Sequence, residues 1–342
     1  GVPQVGKSTL FRLLTNLNES ARRRVPIGVA KVPDSRVEYL AGLYQPRKTT
    51  YAHINVTDTP GLRPGQSAEF LSSLKDTDAL VAVVRAFPEP SVPTEHLQGL
   101  DPLAEVQAVE AELAITDWAL LDKRLERLRK TRVKQNEQTI EVLERVAAAL
   151  ENGESLRRQY LSADDRQELQ GMSFFSDKPL IVVVNTDEEQ LKSRSFPGKE
   201  ALEQWCVSHD VIMLEVCAQL EAEIGELDAV DRQVFLQDLG LTEPGLARLA
   251  KAAYVHLGLI SFFTLGEDEV RAWTIVKDCT ARKAAGKIHS DIERGFIRAQ
   301  VISYEDFASR NGEHLRENGL LRLEGSDYVV QDGDIIEFRF HV

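Results

Sequence analysis

Nine residues, Gly1-Val2-Pro3-Gln4-Val5-Gly6-Lys7-Ser8-Thr9, set two glycines, a lysine and two hydroxyls at the spacing G-x-x-x-x-G-K-[ST]. That spacing is the phosphate-binding P-loop. A triphosphate concentrates negative charge, and converging backbone N–H groups hold it where glycines let the chain come close. Gly1 and Gly6 meet that need, and Gln4, Val5, Gly6, Lys7, Ser8 and Thr9 are the expected phosphate contacts. Lys7 would reach the β/γ-phosphates as a point charge and is the candidate catalytic residue, while Ser8 would offer its hydroxyl to Mg²⁺. Further along, Asp58-Thr59-Pro60-Gly61 forms a D-x-x-G element. Its aspartate would hold the same Mg²⁺ through water, and its glycine N–H would sense the γ-phosphate.

A third element would choose the base. Asn185-Thr186-Asp187-Glu188 follows the apolar run 179–184, and ligands bind beyond the carboxyl ends of strands in open α/β sheets. Guanine readers place N-K-x-D there, with the aspartate forking onto guanine N1–H and N2–H₂ and the lysine stem covering the ring. Here Thr186 stands in the lysine place and Glu188 in the aspartate place. The longer acid moves the carboxylate and the cover is lost, which predicts a weakened guanine preference with adenine accepted. Asp187, one residue away, keeps a guanine reading open. Cys217 and Ala218 fall in the next such loop, whose backbone would pack by the base. Asn185, Thr186, Glu188, Cys217 and Ala218 are therefore the expected nucleoside contacts.

These residues need a scaffold. Leu10, Phe11, Leu13 and Leu14 have a helical beat after the P-loop, so a positive helix N-terminus would face the phosphates. The helix should end near 16–18. A strand should precede a P-loop, so a few apolar residues are expected upstream of Gly1. Arg22, Arg23 and Arg24, with Pro26, Gly28 and Pro33, lie where switch I falls in a P-loop GTPase. Residues 34–43 read as a short helix with Val37, Leu40 and Leu43 on one face. Strands are expected at 51–57, 78–84, 179–184 and 211–216, with a helix at 198–208. Between 101 and 150 the apolar residues step by three and four, through Trp118, Leu121, Leu125, Leu128, Ile140, Leu143, Ala147 and Leu150. This predicts a helical hairpin inserted into the nucleotide domain, joined through the polar run 131–138, with the basic run 123–134 on a solvated face. From about residue 257 the pattern becomes a small α+β module, with strands at 259–264, 270–276, 296–302 and 335–340 and short helices at 284–288 and 304–308. The expected domains are 1–100 with 171–256, 101–170, and 257–342.

Composition bounds the rest. A chain of 342 residues is enough for two or three domains, and 43% hydrophobic content fills their cores. A net charge of −13 argues against general DNA binding, which phosphate neutralisation drives. Cys206, Cys217 and Cys279 lack metal-ligand spacing and read as reduced thiols of a cytoplasmic protein. The seven histidines also lack ligand spacing. Trp118, Trp205 and Trp273 read as core or interface residues. No apolar run has the length of a membrane span and no signal peptide is visible.

Taken together these residues resemble the YchF / Obg-like ATPase family. The P-loop, D-x-x-G, the Asn185-to-Glu188 variant, Cys217-Ala218 with Glu221, and the helical insertion all match. The most specific match is C-terminal: Glu269-Val270-Arg271-Ala272-Trp273-Thr274, Gly295-Phe296-Ile297-Arg298-Ala299, Tyr304-Glu305-Asp306-Phe307, Leu323-Glu324-Gly325, and Asp327-Tyr328 through Gln331-Asp332-Gly333-Asp334. The resemblance implies a doubly wound α/β P-loop NTPase domain of the Obg type, a coiled-coil-like helical domain and a β-grasp TGS domain. It also implies ATP as substrate, often in preference to GTP, with Mg²⁺, and association with the ribosome or ribosomal RNA. A monomer without DNA or membrane partners is expected. Through the family, Arg271, Lys277, Arg282, Lys283 and Lys287 become candidates for facing RNA.

The chain also departs from the family pattern. Gln4 replaces an asparagine, and Thr59-Pro60 replace Ile-Ala. No N-F-P-F-type switch I stretch occurs between 20 and 33. The segment 62–70 is short, with Gln66-Ser67 where the family often carries a histidine. Leu62 stands where Ras-like enzymes place a water-orienting glutamine, and an apolar side chain cannot orient water; Gln66 is the remaining candidate. Three readings stay open: an NTPase, a nucleotide-gated ribosome- or RNA-binding module with negligible hydrolysis, and a GTP-selective translation factor.

Overall fold

The computed structural model describes residues 1–17, 27–62, 67–88, 101–131, 137–312 and 319–341. The expectations for Arg22, Arg23, Arg24 and Gln66 fall outside these residues. The chain divides into two compact units, one of Gly1–Leu13, Leu17–Ile27 and Thr57–Arg248, the other of Leu14–Asn16, Gly28–Val56 and Leu249–Val342.

Most of α1 (Lys7–Thr15) lies in the first unit, and the second takes its last residues and then β1 (Ile27–Lys31), α2 (Ser35–Tyr44), β2 (Lys48–Thr50) and β3 (His53–Thr57). The chain then returns to the first unit with α3 (Ser67–Leu74), β4 (Leu80–Arg85), α4 (Pro102–Thr131), α5 (Glu137–Glu151), α6 (Ala163–Glu168), β5 (Leu180–Asn185), α7 (Glu188–Ser193), α8 (Lys199–Ser208), β6 (Ile212–Val216), α9 (Ala218–Glu226) and α10 (Ala229–Asp238). After α11 (Gly245–His256) the second unit continues with β7 (Leu259–Thr264), β8 (Glu269–Val276), α12 (Ala281–Ile288), α13 (Ser290–Arg294), β9 (Phe296–Ser303), α14 (Tyr304–Ala308), β10 (Arg322–Glu324) and β11 (Asp334–Phe340).

In the first unit β4, β5 and β6 form a parallel sheet in that order. Every residue of the central strand β5 is buried, as expected of a parallel strand covered on both faces. Leu80, Ala82, Val84, Leu180, Val182 and Val184 pack against Val106, Val109 and Leu113 of α4 and Leu202 and Cys206 of α8. The register pairs Arg85 with Asn185 and Asn185 with Val216, so the carboxyl ends of the three strands lie level.

Helix α4 belongs to two cores at once. Its first half covers the sheet, while Ala114, Leu121 and Leu125 pack with Val142, Leu143, Val146 and Leu150 of α5. Asp117, fully buried on α4, accepts the N–H groups of Phe175 (2.9 Å) and Ser176 (2.6 Å) just before β5. Burial raises its pKa, and those N–H bonds partly offset the rise. Trp118 and Trp205 pack against these cores.

In the second unit the sheet order is β10-β9-β11-β7-β8-β2. Phe262, Ile275, Ala299, Val301 and Ile336 line one face, closed by Ala281 and Ala284 of α12. Trp273 packs there too and donates its indole N–H to Thr264 (2.9 Å). The strand expected at 51–57 is β3, which pairs with β1, while β2, not foreseen from the sequence, lies before it and pairs in parallel with β8. Helix α2 is capped by Asp34, whose side chain accepts the Arg36 N–H, and it buries Val37 and Leu40. Leu43, expected on the same face, is instead 42% exposed. The helix ends one residue later, and Tyr44 stacks on Phe307 at 6.3 Å. By compactness, residues 28–56 group with residues 249–342. The three cysteines are free and buried. No helix among the described residues is long and apolar enough to cross a membrane.

Candidate nucleotide site

The P-loop turns through two left-handed residues, Gln4 (φ 64°) and Gly6 (φ 102°), before α1 begins at Lys7. A side chain at Gly6 has no room, because its Cβ would lie 2.5 Å from Asn185 Nδ2. Lys7 folds back over the loop and donates to the carbonyls of Val2 (2.7 Å) and Gly1 (3.4 Å). Its ammonium is therefore held over the loop's own backbone, where phosphate oxygens could replace the carbonyls.

Ser8 Oγ donates to Asp58 Oδ2 at 2.6 Å. Fifty residues apart in sequence, the two are brought together because β3 ends at Thr57 and releases the D-x-x-G loop there. The loop lies tight on the P-loop: a Cβ on Gly61 would come within 2.5 Å of Pro3 N. Leu62 N–H donates to Gly1 O (3.1 Å), and the Leu62 side chain enters the sheet core. A serine hydroxyl beside a carboxylate is a pair of hard oxygen donors, which suits Mg²⁺.

Asn185 ends β5 and joins three loops. Its Nδ2 donates to Val5 O (3.1 Å), and its Oδ1 accepts the Ala218 N–H (3.2 Å). The side chain is thus spent on the P-loop and on the loop after β6, and it sets the geometry of both. Cys217 is buried at the N-cap of α9, and burial pushes its thiol pKa up. Thr186 is buried, and its N–H donates to Val216 O (3.0 Å). Its hydroxyl has no hydrogen-bond partner among the described residues.

Asp187 is occupied locally. Its carboxylate accepts the Gln190 N–H (2.8 Å) and caps α7. Glu188 is the first residue of α7, half exposed and paired with Lys192 at 2.5 Å. The bonds therefore join the P-loop, Asp58, Asn185 and Ala218 into one constellation. Thr186 and Glu188 follow Asn185 by one and three residues, and among the described residues no hydrogen bond or ion pair joins their side chains to the P-loop. Sequence reasoning missed Gln190, whose Nε2 donates to Ala86 O (2.8 Å). The readable signal was the D-x-x-Q spacing from Asp187, a capping box.

A P-loop opening a helix, a metal-type Ser–Asp pair and an asparagine at the carboxyl end of a buried parallel strand define a P-loop nucleoside triphosphatase. Residues 1–186 match the family model described as a 50S ribosome-binding GTPase, and residues 259–341 match the YchF-GTPase_C model, described as a protein of unknown function (DUF933). The chain belongs to the YchF family. It is 37% identical to the "Ribosome-binding ATPase YchF" of Haemophilus influenzae and 36% identical to that of Bacillus subtilis, matching over its whole length and 98% of theirs. Its fold is similar to the YchF GTPase of Schizosaccharomyces pombe, with TM-score 0.89 and 28% identity over 99% of this chain and 96% of that one. A GTP-binding protein of Pyrococcus horikoshii, with TM-score 0.60 and 19% identity over 100% and 98% of the two chains, shares the fold.

Proposed function

We propose that this protein is a Mg²⁺-dependent ATPase that tolerates GTP and acts on the ribosome in the cytoplasm. The observation that carries the reading is the 2.6 Å contact between Ser8 and Asp58 beside the P-loop lysine. Gln4 through Thr9 would cradle the phosphates, with Lys7 supplying positive charge. Ser8 and Asp58 would hold Mg²⁺, which when bound neutralises charge on the β- and γ-phosphates. Asn185 and Ala218 would shape the nucleoside pocket, and Glu188, one methylene longer than the guanine-reading aspartate, would disfavour guanine. The capping role of Asp187 supports the same preference, since its carboxylate is already engaged.

The ribosome enters from the name of the bacterial relatives. Exposed Arg282, Lys283 and Lys287 along α12 offer positive charge for rRNA phosphates. Phosphate release is the test: ATP turnover stimulated by ribosomes and abolished by Lys7→Ala is expected, with ATP bound more tightly than GTP. GTP bound far more tightly than ATP would overturn the base assignment. Unchanged ribosome co-sedimentation after charge reversal of Arg282 and Lys283 would remove α12 from the contact.

Leu62 favours a second reading. Its side chain is committed to the core rather than to water, so intrinsic turnover would be slow and the nucleotide would act chiefly as a switch for docking. Saturable ATP binding without phosphate release, with or without ribosomes, would select it.

A further inference from the structure

Helix α7 carries Glu188, yet it has only six residues and none of them is buried. So short a helix has little intrinsic stability, and with no fully buried residue it draws little on packing. The Glu188–Lys192 pair lies within the helix and both side chains are about half exposed, so it orients the carboxylate weakly and does not locate the helix. Thr186, buried and bonded to Val216 O, brings the chain to the helix, and the side chain that holds its first turn there is Gln190. Its Nε2 donates to Ala86 O (2.8 Å), and its Oε1 accepts the Asp187 N–H (3.3 Å). Ala86 in turn donates its own N–H to Asn185 O (3.0 Å). A closed circuit therefore runs from the end of β5 to the residue after β4 and back to the helix that bears Glu188. Ala86 is buried, so its carbonyl is a fixed anchor.

We infer that Gln190 is a positioning residue for purine choice: by anchoring α7 to Ala86 it fixes where the Glu188 carboxylate stands. This rests on the ATP-binding reading above. Glutamine has the two functions the geometry demands, an acceptor for the helix cap and a donor for the Ala86 carbonyl. Glutamate keeps the first, and suits the third position of a helix, but has no N–H for the second. Gln190→Glu therefore separates helix capping from anchorage.

The test is fluorescence titration of the full chain with N-methylanthraniloyl ATP and GTP in Mg²⁺, with tripolyphosphate as competitor. In Gln190→Glu the preference for ATP over GTP should fall roughly three- to tenfold, the scale of one hydrogen bond. Tripolyphosphate competition should hold, and the melting temperature should fall only modestly, through the unpaired Ala86 carbonyl. Gln190→Ala, which loses both bonds, should show the same fall in preference. An unchanged preference in Gln190→Glu, or a fall in Gln190→Ala alone, would overturn the anchorage. Equal weakening of both nucleotides and tripolyphosphate would overturn the link to base choice. A wild-type protein that binds neither nucleotide would instead overturn the underlying ATP-binding reading.

Discussion

Gly6 and Asn185 meet so closely that a single methyl group on the glycine would fall 2.5 Å from the asparagine's Nδ2. The contact joins the P-loop to the end of β5 across 178 intervening residues, and the same amide donates to Val5 O while its oxygen accepts from Ala218. Two demands coincide at Gly6, the missing Cβ and a φ of 102°, a backbone region costly for any other residue. Gly6→Ala should weaken nucleotide binding at least tenfold by calorimetry and lower stability by about 1–3 kcal/mol. Asn185→Ala should also destabilise, by about 1–3 kcal/mol, because it leaves a donor and an acceptor unpaired. Urea unfolding measures both losses.

The Ser8–Asp58 contact predicts a metal phenotype. Ser8→Ala and Asp58→Asn each remove one hard oxygen function from the pair. Both should shift the Mg²⁺ dependence of ATP binding to higher concentration, while binding without Mg²⁺ changes little. Magnesium titrations at fixed ATP would show it, and a parallel loss with and without Mg²⁺ would contradict the assignment.

Arg36 is the centre of an ion cluster in the second unit. Its guanidinium grips Asp34 through three bonds (3.0, 3.2 and 2.9 Å), reaches Asp332 at 2.7 Å, and lies over the Phe263 ring. Burial alone would lower its pKa, but the two acids raise it well above the usual arginine value. Asp332 also accepts the Ser261 N–H (2.8 Å), which fixes it on β7. Arg36→Ala should cost about 1–3 kcal/mol in urea unfolding. Arg36→Lys should recover only part of this, since an ammonium cannot make the paired bonds.

The β2–β8 pairing should be acid-sensitive. Glu269 accepts from Thr50 Oγ1 (2.5 Å) and pairs with Lys48 (3.3 Å). The Thr50 hydrogen bond, then Lys48, hold its carboxyl pKa below the ordinary 4.5. A carboxyl group with a depressed folded pKa contributes stability above its unfolded value and loses it as pH falls through the folded one. Amide exchange at Thr49 and Thr50 should therefore speed up, beyond the intrinsic pH effect, as the pH is lowered from about 5 toward 3. Glu269→Gln should exchange faster at neutral pH and lose this acid dependence.

How legible the protein was in its sequence depends on the range of the interactions. Strand β5 could be read because its complete burial makes an unbroken apolar run. The P-loop, and the partnership of Ser8 with Asp58, could be read because phosphate and metal chemistry restrict both residue type and spacing. Strand β2 could not: Lys48-Thr49-Thr50 is three residues long with two of them exposed, and its membership is decided by Glu269 and Arg271. Helix α2 was visible as a helix, but its allegiance was not, because Arg36 and Asp332 are 296 residues apart. Gln190 was legible as a helix cap but not as an anchor, since nothing near it in sequence points to the Ala86 carbonyl.

Segment 28–56 lies in sequence between the P-loop and Asp58, yet it packs with residues 249–342. The two units are therefore braided through the gene rather than strung one after the other. A chain ending at residue 256 would keep every proposed phosphate and metal ligand, but would take β8 away from α2 and leave β2 without a neighbour. The C-terminal module is in this sense no detachable cassette: cut out at residue 249, it would leave behind a helix and the edge strand β2 of its own sheet.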